Sequence, residues 1–264
     1  MSNVLLMWVV SAGVGHAALP DGRVVMQKNE ESRRLRDVVA TATLTTGGGE
    51  SGTPTKVKKF TWWRKLISDQ IHYNTLTRFH QPAEVKGEGI LFLEHPDGEN
   101  DVLMYLPNFK KIRRVETQNQ AGSFMSSEFS YSDIATPHVD DYAYKTLREE
   151  ACPVGGGKCV VVESVPANEA VRDRTGASKT LSWIRGDNFM FAQVEYWDLD
   201  GAAWKRLTAP KIEEVDKTGH KWMALDLRME NLKNKKATTL EFEGVKANGG
   251  IGDAIFTQQN LSRP

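Results

Sequence analysis

The sequence lacks the features that would assign it to several large classes of protein. Its 34 basic and 34 acidic side chains cancel to a formal net charge of zero, whereas nucleic-acid binders carry a surplus of Lys and Arg that neutralises phosphate. No apolar run reaches the roughly 20 residues that a membrane-spanning helix needs. These absences argue against a nucleic-acid partner and against an integral membrane protein built on helices.

Motifs of catalysis are also missing. The six His residues form no HExxH or similar ligand pair. The stretch "GGIGDA" lacks GxGxxG spacing, and in "GGGKC" no Ser or Thr follows the lysine, as a phosphate-binding loop would require. No GxSxG nucleophile elbow occurs. We therefore expect no catalytic residues, no metal site and no cofactor, and we interpret the protein as a non-enzyme.

The N-terminal segment is short and apolar. Val4 to Val14 is followed by the small residues Gly15 and Ala17, a pattern typical of a secretory signal peptide. We predict that residues 1–17 are such a signal and that residues 18–264 form one domain. Because the segment carries no Lys or Arg before its apolar run, a buried N-terminal helix is the alternative.

Only two cysteines occur, and they are close in sequence. Cys152 and Cys159 flank "PVGGGK", a loop that can turn a hairpin back on itself. A disulfide there would restrict the unfolded chain by about 2–3 kcal/mol and would suit an oxidising compartment. There is no CxxC redox motif. We predict a structural disulfide, with two free thiols as the alternative.

Most of the chain has the pattern of β-strands. After one short helical segment capped by Asp21, runs rich in β-branched and aromatic residues alternate with Pro- and Gly-containing turns. The pattern predicts a mainly β fold, in which a large antiparallel sheet closes as a barrel or curls and is covered by a few helices. Some strands are apolar on both faces, since Ile90 and Phe92 alternate with Leu91 and Leu93. One face then forms the core, and the other packs elsewhere or lines a hollow.

Aromatic and Met residues cluster in the first half of the chain. Most of them suit an ordinary core, but such side chains also adapt well to varied apolar ligands. We therefore treat some as candidates for the wall of an apolar ligand cavity. These candidates are Trp62, Phe79, Phe92, Met104, Leu106, Phe124, Met125 and Phe129.

The stretch "MYLPNFKKIRRV" joins an apolar strand to four basic residues. These are Lys110, Lys111, Arg113 and Arg114. One interpretation is a solvated strand face. The other is a basic rim beside an apolar hollow, where contact with anionic lipid head groups would contribute about 1 kcal/mol per basic residue.

Two stretches carry a family pattern. They are "TRFHQPAEVKGEGILFLEHPDGENDVLMYLPNFKKIRRV" and "GSFMSSEFSYSDI". Together they resemble LolA-like proteins, a family of bacterial exported proteins that sort outer-membrane lipoproteins. The matching positions are Phe79, Pro82, Gly87, Leu91, Tyr105, Leu106, Pro107, Arg113, Arg114, Ser123, Phe124, Met125, Phe129, Tyr131 and Asp133. The segments "GRVVMQK" and "DAIFTQQNLSR" are similar to the family's two ends, while Ser127 and Glu128 depart from its usual pattern.

The resemblance implies a fold, a compartment and a cargo. The implied fold is a curved antiparallel sheet that forms an incomplete barrel, with helices over an apolar cavity. The implied function is that of a periplasmic chaperone, which transports the acyl chains of lipoproteins or other lipids towards an outer-membrane acceptor. Members of this branch are associated with RND-type exporters. The alternative is therefore a non-catalytic envelope sensor or scaffold of the same fold that binds such a membrane protein. We expect a monomer in either case.

Overall fold

The computed structural model describes residues 18–47, 55–96, 98–135 and 137–263. The predicted signal peptide, residues 1–17, lies outside them. The helices are α1 (Gly22–Ser32), α2 (Tyr131–Ile134), α3 (Glu169–Thr175) and α4 (Gln258–Leu261). The strands are β1 (Asp37–Thr46), β2 (Lys56–Leu66), β3 (Tyr73–Gln81), β4 (Gly89–Leu93), β5 (Asp101–Leu106), β6 (Lys111–Arg114), β7 (Tyr142–Ala151), β8 (Lys158–Pro166), β9 (Lys179–Arg185), β10 (Phe191–Trp197), β11 (Ala203–Asp216), β12 (Lys221–Asn231) and β13 (Ala237–Ala247). Single turns of 3-10 helix lie at Ala83–Val85, Pro107–Phe109, Thr117–Asn119, Phe124–Ser126, Val139–Asp141 and Asp253–Ile255.

All thirteen strands of the described residues belong to one antiparallel sheet. Their order across the sheet is β6-β5-β4-β3-β2-β1-β13-β12-β11-β10-β9-β8-β7. The first and last strands of the chain are therefore neighbours at the centre, whereas β6 and β7 form the two edges and do not pair with each other. The sheet is open, which confirms the predicted mainly β fold and its incomplete barrel.

Strand β1 shows how the local sequence forms one side of the core. Alternate side chains of a strand point to opposite faces, and Val38, Ala40, Ala42 and Leu44 are each at most 2 % exposed. Their partners on the concave face include Phe60 and Trp62 of β2. A register shift of one residue would expose this whole set, so burial fixes how the central strands pair.

The two-faced strands pack on both sides, as predicted. Ile90 and Phe92 of β4 belong to the main core on the concave face. Leu91 lies on the opposite face, in a second cluster that α4 covers with Leu261. A Cβ at Gly89 would lie only 2.8 Å from Leu261 Cδ1, so the absence of a side chain there lets the C-terminal helix sit close to the sheet.

The β7–β8 hairpin is closed by the predicted disulfide. Cys152 and Cys159 are bonded, with their Cα atoms 5.0 Å apart, within the usual range for such a bridge. Both sulfurs lie in a small cluster with Val161, Trp183 and Ala192. The alternative of two free thiols is therefore wrong.

Helix α1 covers part of the concave face. The Asp21 side chain caps it by accepting a hydrogen bond from the Val24 N–H at 3.0 Å, as the sequence predicts. The helix contacts β7, β8 and β12. A Cβ at Gly22 would lie 3.1 Å from the Thr146 backbone nitrogen, so the first turn approaches β7 closely. No helix in the described ranges is long and apolar enough to cross a membrane.

Candidate ligand cavity

A cavity of about 280 Å³ lies between the concave face and the elements that cover it. Its volume is near the lower end of the roughly 300–1,000 Å³ that ligand pockets occupy. The floor comes mainly from strands β8 to β13, and most of the lining is apolar. Representative floor residues are Val194, Leu207, Ala224, Leu227, Leu240 and Phe242.

The cover has two parts. Helix α1 contributes Met26 and Asn29. The second part is the crossover segment, residues 115–135 and 137–141, which connects the two edge strands β6 and β7. It contributes Phe129 and Ile134 to the cavity wall. The cavity is therefore closed by elements that lie across the sheet and are not paired into it.

A buried ion pair fixes the crossover segment to the sheet. Lys205 of β11 places its Nζ 2.6 Å from Asp133 Oδ2, and the two side chains are 2 % and 8 % exposed. Asp133 also accepts a hydrogen bond from the Ser130 N–H at 2.7 Å, which completes a capping box at the start of α2. The Lys205 ammonium lies 4.4 Å from the centroid of the Trp204 ring.

Two of the eight predicted cavity candidates line the cavity, namely Trp62 and Phe129. The other six lie outside its lining. Phe79, Phe92 and Phe124 are at most 2 % exposed in the main core. Met104 and Met125 pack against that core, and Leu106 is half-buried at the end of β5.

The four basic candidates are all exposed at one edge of the sheet. Lys110 follows the turn after β5, and the other three belong to the edge strand β6. Arg114 forms an ion pair with Asp101. The neighbouring Phe109 is 65 % exposed. None of these residues lines the cavity, so contact with anionic lipid by this edge stays a prediction.

One end of the cavity is polar. The Arg64 guanidinium lies over the Tyr73 ring, 3.7 Å from its centroid. Arg33, which follows α1, donates from Nη2 to the Pro137 carbonyl at 2.8 Å. Glu94, 4 % exposed, accepts from the Tyr73 N–H at 2.7 Å and lies 3.0 Å from His138 Nε2. This end therefore joins α1, the sheet and the crossover segment.

The charges at this end follow from burial and from contacts. Burial opposes ionisation of Glu94, but the hydrogen bond and charge of His138, the Arg64 guanidinium and the Tyr73 N–H outweigh it, so the pKa of Glu94 falls below its usual range. Burial, together with the nearby Arg64, lowers the pKa of Arg33. Glu94 is consequently an anion at neutral pH, and its charge is already engaged.

Three tyrosines at the wall are neutral. Burial raises the pKa of Tyr142, Tyr144 and Tyr196 well above the usual value for a phenol. All three line the cavity. The wall can therefore offer phenolic hydroxyl groups without adding negative charge.

Sequence reasoning missed most of the floor and the Lys205 anchor. The floor residues Val194, Leu207 and Leu227 are aliphatic and lie on strands in which apolar and polar side chains alternate. This pattern is common to any half-buried sheet and does not indicate a cavity. Lys205 stands between Trp204 and Arg206 in "AAWKRL". In a strand, Lys205 must point to the sheet face opposite to that of Trp204 and Arg206. The sequence does not show that this face is buried.

Comparisons with known proteins agree with this architecture. Residues 72–263 match a family model described as "Uncharacterized protein". No curated protein matches the chain. A crystal structure from Vibrio parahaemolyticus, named for outer membrane lipoprotein sorting, is 24% identical with a TM-score of 0.82, over 92% of this chain and 98% of that one.

Two further crystal structures share the fold. A DUF1329 family protein from Desulfovibrio piger is 24% identical with a TM-score of 0.82, over 91% of this chain and 97% of its own. A LolA superfamily protein from Nitrosomonas europaea is 19% identical with a TM-score of 0.69, over 91% of this chain and 99% of its own. At these identities the likeness establishes the fold.

Proposed function

Because this chain belongs to the family matched over residues 72–263 and has the LolA-like fold, we propose that it is a periplasmic lipid carrier. It binds the acyl chains of lipoproteins or of other lipids in its cavity and moves them towards the outer membrane. Residues 1–17 serve as the export signal, and residues 18–264 form the single carrier domain. The disulfide between Cys152 and Cys159 suits that oxidising compartment.

The observation that carries the proposal is the apolar cavity itself. Burying a methylene group away from water is worth about 0.8 kcal/mol. A chain that covers the floor residues Leu207, Ala224 and Leu227 is therefore held without covalent chemistry. The cover crosses the sheet without pairing into it, so a movement of the cover during loading would break no strand ladder.

A second candidate function rests on a different surface. Edge strand β6 exposes Lys111 and Arg113 beside the exposed ring of Phe109. Aromatic and Arg side chains are enriched where proteins bind partners. This edge suits a sensor or scaffold that binds a membrane protein such as an RND-type exporter, without transport of lipid.

The deciding experiment is native mass spectrometry of protein purified from its own periplasm, followed by organic extraction of what it releases. The carrier predicts a bound lipid or acylated peptide in near-stoichiometric amount. A protein that carries nothing and takes up no acyl probe would contradict the carrier and favour the scaffold.

A cavity-filling variant tests whether the cargo lies where we propose. Ala224 is buried at the floor on β12, so Ala224→Phe fills the hollow, and acyl-probe binding should fall at least about ten-fold. Ala203→Phe makes the same change at an exposed site on β11 and should leave binding unchanged. Equal binding by both variants would place the ligand elsewhere.

A further inference from the structure

Three buried polar atoms at the cavity wall lack a hydrogen-bond partner among the described residues. They are Nε of Arg33, Nδ1 of His138 and Oγ of Ser164, and all three residues line the cavity. Native proteins satisfy the great majority of their buried polar groups, because an unsatisfied one has lost its hydrogen bonds to water without replacement. Their concentration in one cavity indicates a polar ligand group that completes them.

The cationic group among them is Arg33. Its Nη2 donates to the Pro137 carbonyl, a neutral acceptor, while its Nε is buried without a partner. Burial and the nearby Arg64 disfavour the Arg33 charge, whereas Glu30 and Glu94 favour it, and the balance leaves the pKa of Arg33 below its usual value. Burial is the largest effect that opposes the Arg33 charge, and an anionic group bound directly at the Arg33 Nε would favour that charge.

The acidic groups nearby are already engaged. Glu94 accepts from the Tyr73 N–H and contacts His138 Nε2. Glu30 accepts from Arg34 at 2.9 Å and from the Val139 N–H at 3.2 Å. Both favour the Arg33 charge from a distance, but no ion pair joins either of them to Arg33 within the part of the chain that the structure describes, so the Arg33 Nε remains open to a group that enters the cavity.

We propose that the cavity binds an anionic amphiphile, with its carboxylate or phosphate group held by Arg33 beside Arg64 and its hydrocarbon chain on the apolar floor. This proposal deepens the proposed lipid-binding function by naming the head group. A guanidinium presents its N–H donors in a planar fork that matches the oxygens of both anions. A neutral acyl chain would leave the Arg33 Nε unsatisfied.

The test compares ligands that share one chain and differ in the head. Dodecanoate, dodecyl phosphate and dodecanol are titrated into the delipidated protein by calorimetry. Hydrogen bonds to charged groups predict that both anions bind about ten-fold or more tightly than the alcohol. In Arg33→Gln the preference should shrink to about two-fold or less while dodecanol affinity stays the same.

A matched control removes the same charge elsewhere. Arg113→Gln changes an exposed arginine of β6, and it should keep the full preference for anions. Arg33→Lys retains the charge and loses the Nε donor, so it should keep only part of the preference. If Arg33→Gln fails to fold, the wild-type comparison of dodecanoate with dodecanol still decides the proposal.

Other outcomes separate this proposal from the proposed function. Equal affinity of wild-type protein for dodecanoate and dodecanol would overturn the head-group site and leave the lipid carrier intact. Failure of all three ligands to bind would overturn both. If inorganic phosphate alone bound as tightly as dodecyl phosphate, the site would be one for a free anion, and the amphiphile would be wrong.

Discussion

Two parts of the same concave face are covered in opposite ways. Near Phe79 of β3 the face is filled, because Phe124 of the crossover segment packs its ring 6.2 Å from Phe79 and 6.3 Å from Phe60, centroid to centroid, and Phe60 also borders the cavity. Over β8 to β12 the face is hollow, with Val194 and Leu227 at the cavity wall. We call these the filled side and the hollow side.

The difference lies in the cover and not in the sheet. The crossover segment inserts large aromatic rings, whereas the residues that α1 buries are small or polar: Gly22, Val25, Asn29 and Ser32. The last two are used for anchoring, since Asn29 Nδ2 donates to the Phe189 carbonyl and Ser32 Oγ to the Asn188 carbonyl. Helix α1 reaches the cavity with Met26 and Asn29, and these two side chains leave the hollow open.

We expect the largest change in stability when one Phe side chain on each side is truncated to Ala. Phe124→Ala should lower the free energy of unfolding by about 4 kcal/mol, because it opens a void in a packed core. Phe191→Ala should cost about half as much, since the half-buried Phe191 ring lines the cavity and already lacks neighbours on that side. Urea unfolding curves with equal m-values would measure both changes.

Exposed Phe109 supplies the control, since Phe109→Ala should change the unfolding free energy by less than about 0.5 kcal/mol. Equal losses for Phe124→Ala and Phe191→Ala would mean that the two sides are packed alike.

The next test removes the buried ion pair that fixes the crossover segment to β11. Lys205→Met should cost about 3 kcal/mol, because it leaves the buried Asp133 carboxylate without its cation. Lys211→Met removes one partner of an exposed pair, with Glu213, and should change stability by less than about 0.5 kcal/mol. Thermal and urea unfolding would compare the two variants. A Lys205→Met protein as stable as the Lys211→Met control would show that the crossover segment does not depend on this pair.

The smallest effect concerns pH at the polar end of the hollow side. The folded pKa of Glu94 is lowered, so its contribution to stability is present above the unfolded pKa and is lost as pH falls through the folded pKa. Wild-type protein should therefore exceed Glu94→Gln in stability at pH 7, and the gap should be smaller at about pH 3, below the usual Glu pKa of about 4.3. Urea midpoints at both pH values would measure the gap, and one that stays constant would remove Glu94 from the acid response.

Much of the fold could be predicted from local sequence. The hairpin disulfide followed from the spacing of Cys152 and Cys159, and the two apolar faces of β4 followed from alternation. The candidate site was harder to predict. Large aromatic residues such as Phe79 and Phe124 were predicted to line the cavity. Their size instead makes them fill the packed core.

Helix α1 has an unusual inner face beside the hollow, although only its Asn29 lines the cavity among the residues that the helix buries. Gly22, Val25, Asn29 and Ser32 recur at helical spacing, where a core-facing helix ordinarily carries bulky apolar side chains. The sequence alone does not show which face of α1 points towards the sheet, so this feature can be recognised only after the structure is known. Arg33 and Lys205 depend on contacts far away in the chain, with Pro137 and Asp133, which local patterns do not contain.

The adjacency of β1 and β13 has a consequence for how the chain folds. Every other pair of neighbouring strands in the order is also consecutive in the chain, so the sheet consists of two meanders joined by one seam. Local hairpins close quickly, whereas joining distant segments carries the larger loop-closure entropy. The cavity draws Val38 from one side of that seam and Leu240 from the other. The cavity is therefore complete only when the two meanders have met.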